Sequence, residues 1–195
     1  MMKIGLSGNI GSGKSTVAKL FELLSIPVFY ADQEAKNAYY VEEIKKDVIK
    51  LFGKNSYSKD HTIDKKHLAE CIFNDPLAVK KINAIIHPYV FKQWNLFCKK
   101  HHRAPYCIME AAILHESGSH TLFDEVILVT APKELRIRRV MNRENCTYDE
   151  VNARIKMQWT ENEKRKYSTI FINNSQKNAL IPQVIETHKL LSERK

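Results

Sequence analysis

Short apolar runs bounded by turn and cap residues recur at residues 3–7, 27–31, 106–110, 126–130 and 170–172. Between and after them, apolar positions repeat with a helical period at 14–24, 133–142, 149–164 and 179–191. Strands that alternate with helices predict parallel βαβ units, and hence an α/β fold with a doubly wound, five-stranded parallel sheet. Two helix starts carry their own chemistry. Thr147 and Glu150 fit a capping box, in which a hydroxyl and a carboxylate each satisfy a free amide. Asp75-Pro76 fits a cap followed by proline at the first helical position.

One interval breaks the alternation. Residues 33–103 contain no convincing strand, only helical patterns at 44–52, 67–73 and 77–86. A parallel crossover needs only about a dozen residues, so this insert far exceeds what topology demands. It is expected to be a helical lobe facing the active site. With no repeat, low-complexity segment or flexible linker, residues 1–195 read as one domain. Its core is expected at 1–32 and 104–195, its helical substrate lobe at about 33–103, and a basic lid at about 136–165.

Residues 8–15, GNIGSGKS, satisfy the pattern G-x-x-x-x-G-K-[ST] at every fixed position, directly after the first strand and at the start of a helix. Glycines let successive backbone amides converge on phosphate oxygens, and the helix N-terminus adds its positive end. Lys14 would reach the β and γ phosphates while the Ser15 hydroxyl would ligate Mg²⁺. Gly11, Ser12, Gly13, Lys14, Ser15 and Thr16 are therefore candidate nucleotide-binding residues. A flexible surface turn would need neither the preceding strand nor the following helix.

Composition narrows the partners. The chain has 44% hydrophobic and 27% charged residues, an ordinary globular balance. Its net charge of +9 favours anionic partners, either nucleic acid or small polyphosphates. No apolar run approaches the length of a bilayer span. The phosphate motif begins too early for a signal peptide's apolar region to be completed, so a cytoplasmic location is expected. Cys71, Cys98, Cys107 and Cys146 form no CxxC pair and read as free thiols. Cys98 lies near His101 and His102, but the basic surroundings KKHHR favour a solvated helix end over a metal site.

Other stretches bear on the reaction. A guanine-reading N-K-x-D motif is missing from the end of the fourth strand, which reads VTAP, and this argues against a GTP switch. The third strand ends at Glu110, which could hold a metal through water. Asp32 follows the second strand at the carboxyl end, where α/β folds place their chemistry. It has two readings of equal weight: a general base on an acceptor hydroxyl, or a cap for a helix beginning at Gln33. In RIRRVMNR, residues 136–143, helical spacing sets Arg136, Arg139 and Arg143 on one face. Like charges so aligned suit a polyphosphate partner, and Arg138 reads as solvated.

Together these stretches resemble the dephospho-CoA kinase family. The resemblance is carried by IGLSGNIGSGKSTVAKLF, by VFYAD where the family usually reads D-A-D, and by INAIIHPYV, similar to L-N-x-x-x-H-P. It continues in order through AILHE, where P-L-L-x-E is common, through RRVMNRENCTYDEVNARIKMQ with its closing Gln158, and through IFINN. The resemblance implies a P-loop kinase fold, ATP and Mg²⁺ as cofactors, and transfer of the ATP γ-phosphoryl group to the ribose 3′-hydroxyl of dephospho-CoA. It implies that Asp32 is the general base, that Lys14 and Arg139 stabilise the transferring group, and that Arg143 and Asn174 contact ATP. Asp32, His87 and Glu116 would contact the acceptor, and Ser15 with Glu110 the metal. His87-Pro88 could equally be a half-buried histidine beside a proline that breaks a helix. Tyr30 replaces the first aspartate of D-A-D, Thr169 stands where the family often has aspartate, and His115 is unusual.

Two rivals are weaker. A deoxynucleoside kinase shares GNIGSGKST but should carry an acid-Arg-Ser motif after the third strand, whereas Glu110 is followed by Ala111 and Ala112. A nucleic-acid-binding NTPase would interleave aromatic with basic side chains, and the basic stretches at 99–103 and 136–143 contain no aromatic residue. Two polyphosphate ligands account for the charge, so neither nucleic acid nor a membrane is expected as a partner.

Overall fold

The structure, a computed structural model, describes residues 1–73 and 75–194. Its elements run β1 (Met2–Ser7), α1 (Lys14–Leu23), β2 (Val28–Tyr30), α2 (Ala31–Ala38), α3 (Glu42–Phe52), α4 (Lys65–Phe73) and α5 (Pro76–Lys100). They continue with β3 (Tyr106–Glu110), β4 (Glu125–Thr130), α6 (Lys133–Glu144), α7 (Tyr148–Lys156), α8 (Glu161–Arg165), β5 (Ile170–Asn173) and α9 (Leu180–Glu193).

The described strands form one parallel sheet of order β2-β3-β1-β4-β5. A parallel sheet is covered on both faces, so its inner strands must be apolar throughout. Every residue of β3 is buried, and Ile4 and Leu6 of central β1 are fully so. β5 lies at the edge and alternates instead: Ile170 and Ile172 are buried while Phe171 and Asn173 face out. Val17 and Phe21 of α1 and Val184 and Leu191 of α9 complete the core against this sheet. Each such side chain contributes about 1.5–3 kcal/mol by leaving water.

The chain falls into two compact units, residues 1–30 with 98–195, and residues 31–97. The second is built from α2, α3, α4 and most of α5, with an isolated antiparallel bridge between Tyr57 and Ile63. Its interior includes Ala38, Ile44, Val48, Leu68, Ile82, Ile86 and Trp94. The Tyr57 hydroxyl donates to the Tyr39 carbonyl at 2.7 Å.

Several sequence expectations shift. The helix expected over 149–164 is two, α7 and α8, separated by residues 157–160. Thr160 and Glu163 form a second capping box that starts α8 afresh, beside the expected one of Thr147 and Glu150. α5 does not stop at Pro88 but runs through it to Lys100, so this proline does not break the helix. Asp75 caps it as expected, accepting from the Leu77 amide at 2.8 Å. α2 begins at Ala31 rather than Gln33, which leaves Asp32 inside the first turn and removes its reading as a cap. A carboxylate there still benefits from the helix dipole.

Candidate active site

The phosphate loop leaves β1 at Ser7 and enters α1 at Lys14. Gly11 and Gly13 show why its turn depends on glycine. Gly11 has φ +77 and a Cβ there would collide with the Arg136 carbonyl; Gly13 has φ +94 and a Cβ would collide with Asn174 Nδ2.

The loop's carbonyls are held from behind. Asn9 O accepts from the Ser12 amide at 3.0 Å. Ile10 O accepts from Arg136 Nη1 at 3.5 Å, Gly11 O from Arg139 Nη1 at 3.4 Å, and Ser12 O from Asn174 Nδ2 at 2.8 Å. The Asn9 side chain donates to Trp159 O at 2.8 Å, and the Ile10 amide donates to Gln158 Oε1 at 2.9 Å. A peptide whose carbonyl is tied back presents its N–H on the opposite side, so the Gly11 and Gly13 amides turn away from these ties, while the Ile10 and Ser12 amides are spent on Gln158 and Asn9. The Ser12 hydroxyl is buried there without a hydrogen-bond partner, which fits an anion's oxygen.

Lys14 and Glu110 stand at that mouth, Nζ to Oε1 3.7 Å, with both side chains largely buried. Glu110 reaches this place because β3 pairs with β1 in the register Leu6 to Glu110. β2 brings Tyr30 opposite Glu110 from the other side. Burial pushes the Tyr30 phenol up to about 12, aided by its hydrogen bond to Glu22 and by the Glu110 charge.

Arg139 and Asn174 come together with the loop. Arg139 Nη2 donates to Asn174 O at 3.0 Å, and the Asn174 amide donates to Thr130 O at 2.8 Å. Burial lowers the Arg139 pKa without any partner carboxylate among its causes. The three arginines expected on one face all lie on α6, but their surroundings differ. Arg136 is buried and donates Nε to Ala131 O at 3.1 Å, because helical spacing sets a face but not what packs on it. Arg143 is exposed and ion-paired with Glu144, which also holds Arg154.

Asp32 and His87 belong to the second unit, on α2 and α5. Burial depresses the His87 pKa below the ordinary imidazole value. Glu116 lies in the first unit and is tied internally: Oε1 accepts from the Trp159 amide at 3.0 Å and pairs with Lys164 Nζ at 2.9 Å. Its Oε2 is buried without a hydrogen-bond partner.

Sequence reasoning missed fully buried Lys164 and marked fully buried His115 only as unusual, without a role. Neither has a local signal, since an isolated Lys or His does not reveal a partner about 50 or 100 positions away. Cys98, read as part of a solvated helix end, is buried instead. Among the described residues no group of three or more His, Cys, Asp or Glu is arranged to hold a metal ion. The Ser15 hydroxyl, in the first turn of α1, and the Glu110 carboxylate are donor types that suit a hard cation such as Mg²⁺, which takes most of its ligands from phosphates and water.

Comparison with known proteins agrees with this geometry. Residues 2–179 match the family model described as dephospho-CoA kinase. The chain is 35% identical to a dephospho-CoA kinase of Bacteroides fragilis over 99% of its own length and 94% of the relative's. A solved structure from Thermus thermophilus superposes with TM-score 0.86 at 33% identity, covering 100% of this chain and 98% of that one. A dephospho-CoA kinase from Campylobacter jejuni does so with TM-score 0.70 at 25% identity, covering 98% and 97%.

Proposed function

The chain belongs to the dephospho-CoA kinase family, which catalyses the final step of coenzyme A synthesis, and we propose how its own residues divide that work. The γ-phosphoryl group of ATP passes to the ribose 3′-hydroxyl of dephospho-CoA. A new P–O bond forms at the acceptor, the bond to the β-phosphate oxygen breaks, and ADP leaves.

The loop amides, the Ser12 hydroxyl and Lys14 hold the β and γ phosphates, and so meet the charge that spreads over the transferring group. The observation that carries this reading is that the Ile10 and Ser12 carbonyls are tied to Arg136 and Asn174, which turns the Gly11 and Gly13 amides of the same peptides the other way, toward phosphate. Gly11, Gly13 and Thr16 shape the loop and the first turn of α1. Ser15 and Glu110 would hold Mg²⁺, which when bound neutralises charge on the β and γ oxygens. The Glu110 carboxylate, 3.7 Å from Lys14 Nζ, would be the acidic ligand.

Asp32, in the first turn of α2 just past β2, takes the proton of the acceptor hydroxyl. Arg139 spans the loop and the end of β5, and its guanidinium offers further N–H groups to developing charge. Arg143 reaches ATP by leaving Glu144, and Asn174 supports the nucleotide through the loop. His87 contributes to the acceptor side. For Glu116 the internal ties favour a positioning role over direct acceptor contact.

The test is a coupled assay of ADP release. It is expected to require ATP, Mg²⁺ and dephospho-CoA together, with no turnover on deoxynucleosides and no stimulation by DNA. Turnover on a deoxynucleoside without response to dephospho-CoA would overturn the assignment.

A further inference from the structure

His115 is fully buried, and the transfer reaction described above makes no use of it. Its Nδ1 lies 2.9 Å from Ser7 Oγ, and its Nε2 lies 3.1 Å from Ser168 Oγ. Ser168 Oγ is in turn 2.8 Å from the Lys164 carbonyl, to which it donates its single hydrogen. A hydroxyl has one proton to give, so Ser168 must accept from the imidazole. Nε2 therefore carries the ring proton, Nδ1 is the acceptor, and the Ser7 hydroxyl is the donor.

The hydrogen bonds thus run in one direction, from Ser7 through His115 and Ser168 to the backbone at the end of α8. Ser7 is the last residue of β1 and adjoins the first glycine of the phosphate loop. The same stretch of chain, residues 158–168, also grips the loop from its far side through Gln158 and Trp159. The ring is sealed by His120, stacked at 5.4 Å, and by Trp159 at 6.4 Å. The charges of Lys164, His120 and Glu116 act on the ring, and the Tyr167 backbone hydrogen-bonds to it.

We infer that His115, as a neutral Nε2-protonated imidazole, is a positioning residue that fixes the root of the phosphate loop against the segment that closes over it. It touches no substrate. Its effect falls on nucleotide affinity, because the loop amides must converge within tenths of an ångström to share one phosphate. The acceptor is held by other residues and is indifferent to it. The inference rests on the nucleotide reading of the loop, and is independent of which hydroxyl accepts the phosphoryl group.

The wild-type enzyme provides the first test, through its imidazole ¹⁵N spectrum. Nε2 is expected to be pyrrole-like and Nδ1 pyridine-like for His115, and a proton on Nδ1 would overturn the relay. The second test is calorimetric binding of ATP to His115→Phe and His115→Asn. Loss of the ring's buried hydrogen bonds in the Phe variant is expected to weaken ATP binding about tenfold. Asn places a carbonyl oxygen near the Nδ1 position, accepts from Ser7, and is expected to recover most of that loss. KM for dephospho-CoA should move less than about twofold in either variant. Unchanged ATP affinity in a folded Phe variant, or equal loss in both variants, would refute the positioning role. Failure of the wild type to bind ATP would instead refute the nucleotide reading itself.

Discussion

Lys164 Nζ lies 2.9 Å from Glu116 Oε1, and the lysine is fully buried while the glutamate is nearly so. Burial lowers the lysine's pKa and the glutamate opposes that shift, so the charged lysine depends on this one carboxylate. Removing one partner of a buried pair leaves a charge in low dielectric, which costs more than the pair contributes when intact. Glu116→Gln is therefore expected to lower unfolding stability by about 3 kcal/mol. The double variant Glu116→Gln, Lys164→Met should recover at least half of that in urea titration. Equal stability of the single variant and the wild type would show that the pair is solvated in solution.

Glu116 also illustrates what the sequence makes legible. The phosphate loop is readable because its chemistry is contiguous: glycines, Lys14 and Ser15 sit within a few positions between a strand and a helix. The strands are readable because a parallel sheet is apolar on both faces. AILHE marks Glu116 through resemblance alone, and nothing near it names Lys164 as its partner. Arg136 was misplaced for a related reason, since periodicity assigns a face but cannot say that Ala131 and Ile10 cover it. The break between α7 and α8, in contrast, had a local sign in Thr160 and Glu163 that the run of helical period concealed.

Gly13 is constrained twice, by φ +94 and by Asn174 Nδ2 in the space a Cβ would take. The left-handed conformation costs a non-glycine residue about 1–2 kcal/mol, and displacing Asn174 removes its bond to Ser12 O. Gly13→Ala is expected to weaken ATP binding by about tenfold or more in calorimetry, given the few kilocalories involved. Adding Asn174→Ala should not restore binding, because the backbone strain persists and the latch is gone. Full recovery in the double variant would mean that the clash alone matters.

The pH dependence of stability should carry a signature of His115. Burial first, then the charges of Lys164 and His120, hold this imidazole down to about 4 from an ordinary 6.5, against the opposing Glu116 charge and a Tyr167 backbone hydrogen bond. Between those values the unfolded chain binds the extra proton and the folded chain does not. Stability from this group is thus complete above about pH 6.5 and is lost as pH falls toward about 4. The full loss is of the order of 3 kcal/mol. Urea titrations at pH 7, 5.5 and 4.5 would measure it, with His115→Phe as the reference that cancels the carboxylates. Parallel pH profiles for the variant and the wild type would remove the signature.

On the roles proposed for them, Asp32 and Lys14 should fail in different ways. Asp32 would act on the acceptor's proton, so Asp32→Asn, which keeps size and polarity, would remove only the base. Turnover is expected to fall by about 10² or more while ATP affinity stays within about twofold, the scale of general-base catalysis. Lys14 faces phosphate charge in both the ground state and the transition state, so Lys14→Ala should weaken ATP binding and also lower kcat by about 10² or more. Stopped-flow single-turnover measurements with saturating ATP separate the two effects. If Asp32→Asn left the chemical step unchanged, the base would lie elsewhere and Asp32 would serve only the first turn of α2.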